Sequence, residues 1–487
     1  MCEAAYDNYT ENPEAFMKFL EESEKPLYKG CERYTKLSAL VKLKQYENCV
    51  NCPRCGLSRW KLTKNKVEKK GVPAKVVWYF PPIPRFKRMF KYLETLRNLT
   101  WHADSTRVVG QLRHPVDSPS WKLVDHMWPE FESEPRNLRL ALAADGINPH
   151  SNLSSRYSFY DAYRRKFFTL KAVLLWTIND FPAYGNFSGC TTHGYYACPV
   201  CGEDTYAKHL ENGKKMSFAV HRRFLSRFHP YRRQMKEFNG MEELGEAARP
   251  LSGIKLFDKL SDIRCEFGKK ISVKGKIKNA KANKLEVNIE EKDLGAINFR
   301  KCWKNKSIFF NIPYWKHLHV RHCLDVMHIE KGKTKDNVAA RLDMVEMGIR
   351  PELTPIVGEK RTYLPLAACS FTKKEKLQVC KSLKDIKVPE GFSSNMNNIV
   401  CMDQLKLTCL KSHDCHVLMQ HFLPIVIRDV LPKHVKYAII RLCFFFKDIC
   451  CKVIDVAKLD KLQSDLVVTL CLLEQYFPPS FFDIMHH

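Results

Sequence analysis

Residues 171–201, KAVLLWTINDFPAYGNFSGCTTHGYYACPVC, open with the apolar run Ala172-Val173-Leu174-Leu175-Trp176, long enough for one buried strand. Asn179-Asp180 and then Phe181-Pro182 end that run, so Asp180 falls at the strand's carboxyl end. A second run, Leu138-Arg139-Leu140-Ala141-Leu142-Ala143-Ala144, stops in the same manner at Asp145-Gly146. Two strands that each deliver an aspartate suggest a divalent-metal site, because Mg2+ is usually held by one or two carboxylates plus substrate phosphates. Each aspartate also reads as an ordinary turn residue, since Asp-Gly and Asn-Asp before Phe-Pro are turn signals.

Elsewhere the period changes to that of a helix. Residues 1–48 read as a short helical lead, with a Pro26/Gly30 break in the middle. After Pro84 the apolar positions Phe86, Met89, Phe90, Leu93 and Leu96 share one helical face, with cations on the other. Such a helix packs by its aromatics and can touch phosphates with Arg85, Lys87, Arg88 and Lys91. From 255 to 305 the composition turns Lys-rich and poor in aromatics, as a linker or mobile loop would be. Residues 336–487 are helix-rich, and Ser412, His413, Asp414, Cys415 and His416 fit that periodicity as core and surface positions better than as a hydrolase or metal site.

Charge adds a partner. The 487 residues carry 80 Lys and Arg against 53 Asp and Glu, a formal net charge of +27, which points to a polyanion, most simply nucleic acid. A hydrophobic share of 45% argues for a globular chain. No run approaches a membrane span, and MCEAAYDNYTENPEAF lacks the pattern of a secretory signal, so neither a membrane nor an oxidising compartment is expected. The 20 cysteines then read as reduced thiols plus zinc ligands.

Two C-x2-C pairs are candidate knuckles, because a tight turn lets two thiolates meet one tetrahedral ion. Cys198 and Cys201, with His221 and His229, give C-x2-C-x19-H-x7-H, and His193, Cys190 and His209 compete for the histidine positions. Cys52 and Cys55 form only half a site; Cys49 with Cys31 would have to complete it. Arg222, Arg223, Arg232 and Arg233 cluster nearby as candidate phosphate contacts, or as a solvated loop.

Five stretches in order, LRLALAADGINPHSNLSSRYS, AVLLWTINDFPAYGNFSGC, GYYACPVCGEDTY, HRRFLSRFHPYRRQ and LDVMHIEK, resemble the transposase of plant CACTA (En/Spm-type) DNA transposons. That resemblance implies an α/β chain: an RNase H-like core over 63–335, with a zinc-binding insertion at 190–240 and the Lys-rich loop at 255–305. It also implies a remnant zinc ribbon over 49–62 and a truncated helical domain of unknown function over 336–487. The catalytic carboxylates by resemblance are Asp145, Asp180 and Glu330, with Asp325 as the alternative to Glu330. They would hold Mg2+ or Mn2+, one ion activating water or a 3′-hydroxyl and the other stabilising the leaving oxygen. Zn2+ would be structural. The partners expected are DNA at transposon ends and further copies of the chain, and the compartment is the nucleus.

The chain departs from the family's pattern at three places: before Cys49, after Tyr157-Ser158, and after Glu330-Lys331. At each a stretch of the family is missing, so the expectation is an internally deleted copy with an incomplete central sheet and strand transfer lost. Two alternatives stay open: a non-catalytic, zinc-containing DNA-binding or transposase-interacting protein, and a product without a stable fold.

Overall fold

The computed structural model describes residues 49–51, 58–63, 67–74, 82–104, 108–144, 158–161, 166–263, 299, 301–329, 336–359, 361–388 and 396–487. In chain order these form β1 (Trp60–Leu62), β2 (Glu68–Pro73), α1 (Pro82–Lys91), α2 (Leu93–Asp104), β3 (Gln111–Leu112), α3 (Pro119–Met127), β4 (Leu138–Ala144), β5 (Ser158–Asp161), β6 (Lys166–Thr169) and β7 (Ala172–Asn179). There follow α4 (Phe181–Ser188), β8 (Lys208–Leu210), β9 (Lys215–Ser217), α5 (Gly253–Lys259) and β10 (His322–Leu324), then the helices α6 (Val338–Glu346), α7 (Lys373–Asp385), α8 (Lys433–Ile449) and α9 (Leu459–Tyr476). Helix and strand are mixed, as an α/β reading requires, and the sheets are small. No helix among the described residues is long and apolar enough to cross a membrane.

Two compact units divide the chain. One comprises residues 1–99, 149–171 and 266–285, and the other 100–148, 172–265 and 286–487. In the first, β1 pairs antiparallel with β2 and β5 with β6. Helix α1 buries Phe90 completely, edge-on to Phe168 with ring centroids 5.3 Å apart. Its Arg85, Lys87, Arg88 and Lys91 are exposed while Phe86 and Met89 are half-buried, as the periodicity after Pro84 predicts, but Leu93, expected on the same apolar face, is 43% exposed.

The second unit is organised on the three-stranded parallel sheet β10–β7–β4. Its middle strand carries the apolar run expected of a strand with neighbours on both sides, and Leu175, Thr177 and Asn179 are buried. The register steps from Leu140–Leu174 to Ala141–Trp176, one extra residue in β7, and the Leu174 amide donates to the Tyr314 hydroxyl 2.8 Å away. On this sheet packs a core of Trp121, Val124, Phe187, Phe309, Trp303 and Trp315. Arg139 reaches back from β4 to the Asp125 carboxylate, its Nε 3.2 Å from Oδ1, and lies 4.5 Å over the Trp121 ring.

Residues 253–259 differ from the linker expected from 255 onward. They form α5, N-capped by the Ser252 hydroxyl, and Leu256 and the following Leu260 enter the core. The apolar spacing of Leu256, Phe257 and Leu260 outweighs the lysines around it, because the cations can stay solvated on the outer side.

The insertion after α4 and the C-terminal helices share two small cores. Ala438, Leu470, Leu473 and Phe482 gather with Ala219, and Leu225 and Phe238 pack on Cys471. Backbone bonds join the same parts: the Phe218 amide donates to the Phe482 carbonyl at 2.8 Å and the Ser217 hydroxyl to the Pro479 carbonyl at 2.7 Å. At the β8–β9 turn the amides of Asn212 and Gly213 donate to the Asp343 carboxylate of α6, at 2.7 and 3.0 Å.

Candidate functional site

Parallel pairing brings the carboxyl ends of three strands level. Ala144, the last residue of β4, and Leu324, the last of β10, both pair with Asn179, the last of β7. Asp180 and Asp325 therefore follow directly on adjacent strands, at the end where open parallel sheets place their ligands. Asp145 is the next residue after Ala144 in the chain; it and Glu330 lie outside the described residues.

Both described aspartates also hold backbone. Asp180 is the N-cap of α4, its Oδ1 accepting from the Ala183 amide at 2.8 Å, and Pro182 in the first turn suits a helix start. Asp325 Oδ1 accepts from the Met327 amide at 3.0 Å, while the Asp325 amide donates to the Asn179 carbonyl at 2.8 Å. At the far end of α4, Gly189 sits at φ +81° and closes the helix with its amide on the Gly185 carbonyl.

Beneath the strand ends lies a polar string. Asn179 Nδ2 donates to Thr177 Oγ1 at 2.7 Å, and Thr177 Oγ1 is 2.8 Å from His322 Nδ1. The Asn179 Oδ1 is buried and has no hydrogen-bond partner among the described residues. The His322 ring is enclosed by Tyr184, Phe309 and Trp315, and burial, with the Arg321 guanidinium beside it, pushes its pKa down to about 3. His322 is thus a neutral imidazole at neutral pH.

A second cluster stands apart from the strand ends. One ligand atom each from Cys198, Cys201 and His487 lie within 4.8 Å of one another, and Cys201 Sγ is 3.3 Å from His487 Nε2. The hydrogen bond from Cys201, helped by His487, holds Cys198 below the usual thiol range, while the same bond and burial push Cys201 up.

The other expected zinc ligands are engaged elsewhere. His221 places Nδ1 against the Glu474 carboxylate and Nε2 2.9 Å from the His486 carbonyl. Both ring nitrogens are thus engaged by acceptors of the chain and turned away from the knuckle's thiols. His229 caps a short turn, its Nδ1 accepting from the Tyr231 amide at 3.2 Å. His209 faces Glu211 at the surface, the Cys190 thiol lies 3.7 Å from that of Cys302, and Cys52 and Cys55 lie outside the described residues. Sequence spacing pointed to histidines near the knuckle; the histidine that reaches it is 286 residues away.

The arginine cluster divides. Arg222 and Arg232, expected at a phosphate-contacting surface, are 2% and 5% exposed and bind carbonyl oxygens. Arg232 reaches those of Leu225, Arg223, Glu243 and Gly245 at 2.9–3.2 Å. Arg222 donates to Gln234, Asn239 and Met241. They organise the loop instead of projecting from it. Arg223 pairs with Glu243 at 3.0 Å and lies over Tyr206, and Arg233 is exposed.

Residues 109–161 and 158–263 match the family model "Transposase family tnp2", which spans β4, β7, Asp180 and the cysteine knuckle. Over these residues the chain is similar to transposases of that family. Residues 449–487, which include His487, match a domain of unknown function, DUF4218. Comparisons with curated proteins and with solved structures each gave no match.

Proposed function

We propose that this transposase-like chain descends from a CACTA (En/Spm-type) transposase of plants and acts on DNA in the nucleus, with an RNase H-like core around β4, β7 and β10. The observation that carries this reading is the level alignment of the three strand ends, followed in sequence by Asp145, Asp180 and Asp325. The net charge of +27 and the exposed cations of α1 support a nucleic-acid partner.

In this reading Asp145 and Asp180, with Glu330 or Asp325, hold Mg2+ or Mn2+. The ions, when bound, activate a water or 3′-hydroxyl and stabilise the leaving oxygen. Asp180 is fixed by its cap on α4, and Asp325 by its amide on Asn179, so the chain holds these two carboxylates at set positions before any ion arrives. The basic face of α1 supplies sequence-tolerant phosphate contacts.

We further propose that this copy is internally deleted and that strand transfer is lost. Support comes from the tnp2 match, which falls in two pieces, 109–161 and 158–263, that overlap where the sequence departs from the family's pattern after Tyr157-Ser158. A thermal melt with and without Mn2+, on the wild type and on Asp180→Ala, tests the metal site. An ion bound only to the folded chain adds about 2.7 kcal/mol at ~100 times its Kd. A melting temperature that rises with Mn2+ in the wild type and stays still in Asp180→Ala supports the reading. A transition indifferent to Mn2+ removes the enzyme reading and leaves DNA binding alone.

A further inference from the structure

We infer that Cys198, Cys201 and His487 are the protein ligands of one zinc ion, which ties the DUF4218 segment to the cysteine knuckle of the transposase-family segment. This does not depend on whether strand transfer survives. The ligand set differs from the one that spacing suggested, since its histidine comes from the other family segment.

Geometry is the first support. Tetrahedral zinc, with bonds of ~2.3 Å to sulfur and ~2.0 Å to nitrogen, sets its ligand atoms roughly 3.5–3.8 Å apart. The three donor atoms already lie within 4.8 Å of one another, so shifts on the order of 1 Å bring them to those separations. The Cys201 amide points at Cys198 Sγ, 3.4 Å away, and the Gly202 amide bonds the Cys198 carbonyl at 2.8 Å. That turn presents both sulfurs on one side, and Gly202, at φ +59°, supplies the left-handed backbone that completes it.

The histidine is the second support. His487 directs Nε2 at the sulfurs, while its Nδ1 is buried without a partner among the described residues. Its ring lies against Phe218 and Phe224, with centroids 5.8 and 6.1 Å away, which fixes its orientation. His221 serves as a positioning residue: it holds the carbonyl of the adjacent His486 and is itself held by Glu474. Among the described residues these three donors are the ones that gather at this point.

Titration of the metal-free full-length chain with Co2+, followed by competition with Zn2+, tests this. The readout is the sulfur-to-cobalt charge-transfer absorption. The wild type should bind one ion with two thiolates, His487→Ala should weaken binding by more than about 100-fold, and His229→Ala should leave it unchanged. His487→Cys should keep the ion and gain a third thiolate's absorption. The inference falls if the wild type does not bind, if His487→Ala binds as the wild type does, or if His229→Ala is the variant that loses the ion. Should His487→Ala fail to fold, His487→Cys decides: a folded variant without the added absorption overturns the inference.

Discussion

The carboxylate of Glu474 in α9 accepts both the backbone amide of His221, at 2.9 Å, and its ring Nδ1, across 253 residues of chain. Both side chains are buried, at 6% and 2% exposure, so the pair is shielded from water and salt. Removing one partner of such a pair strands the other, which costs about 3–5 kcal/mol. Glu474→Ala should therefore lower the urea midpoint by that equivalent. Glu474→Gln, whose amide oxygen can still accept both donors but carries no charge, should lose about half as much.

The cations separate by task. Arg232 spreads its fork over four carbonyls, a geometry that one ammonium cannot reproduce. Arg232→Lys should destabilise the fold by about 2 kcal/mol or more and leave the salt dependence of DNA affinity as it was. Replacing Arg85, Lys87, Arg88 and Lys91 of α1 with Ala should do the reverse. Stability should change little, while the slope of log affinity against log salt on duplex DNA should fall by roughly three to four. Equal slopes for the quadruple variant and the wild type would take α1 out of the interface.

The legible parts of this molecule are the local ones. The apolar runs at 138–144 and 172–179 are strands as read, and Asp180 sits at the end of its strand because the run stops there. The third strand is only His322–Leu324, too short to carry a pattern, and it gains its place by pairing with β7 some 145 residues earlier in the chain. His221 looks like a zinc ligand by spacing because Glu474 and His486, which occupy it, are remote in sequence. Buried arginines are likewise invisible, since a run such as HRRFLSRFHPYRR reads as solvated until the carbonyls around it are known. The helix at 253–259 had a signal, Ser252 before an apolar repeat, that composition alone obscured.

His322 makes stability depend on acid. Its folded pKa is held near 3 by burial and by Arg321, below the 6.5 of the unfolded chain. Above about pH 6.5 neither state carries the proton, so the group is neutral in the balance. As pH falls from 6.5 toward 3 the unfolded chain takes up a proton that the folded chain refuses, and stability drops by about 1.4 kcal/mol per pH unit. His322→Gln, which can still meet the Thr177 hydroxyl, should flatten that limb by one proton's slope in urea melts between pH 6.5 and 4. An unchanged acid limb would assign the loss to other groups.

Gly189 is held by two separate demands, and a pair of alanine substitutions tells them apart. At φ +81° a side chain is strained by about 1–2 kcal/mol. A Cβ there would also stand 2.0 Å from the Asn305 carbonyl oxygen, which is backbone and pinned by the bond from Lys304 N to Gly189 O. Gly194 has a similar φ of +87° but open space around it. Gly194→Ala should therefore cost only the conformational strain, ~1 kcal/mol. Gly189→Ala must also displace residues 304–307 from the end of α4, and should cost more than about 3 kcal/mol. Because α4 begins at Asp180, that displacement should blunt any response of the melt to Mn2+ as well, whereas Gly194→Ala should retain it. Equal melting temperatures for the two variants would mean that residues 304–307 yield freely and do not brace the helix behind the strand ends.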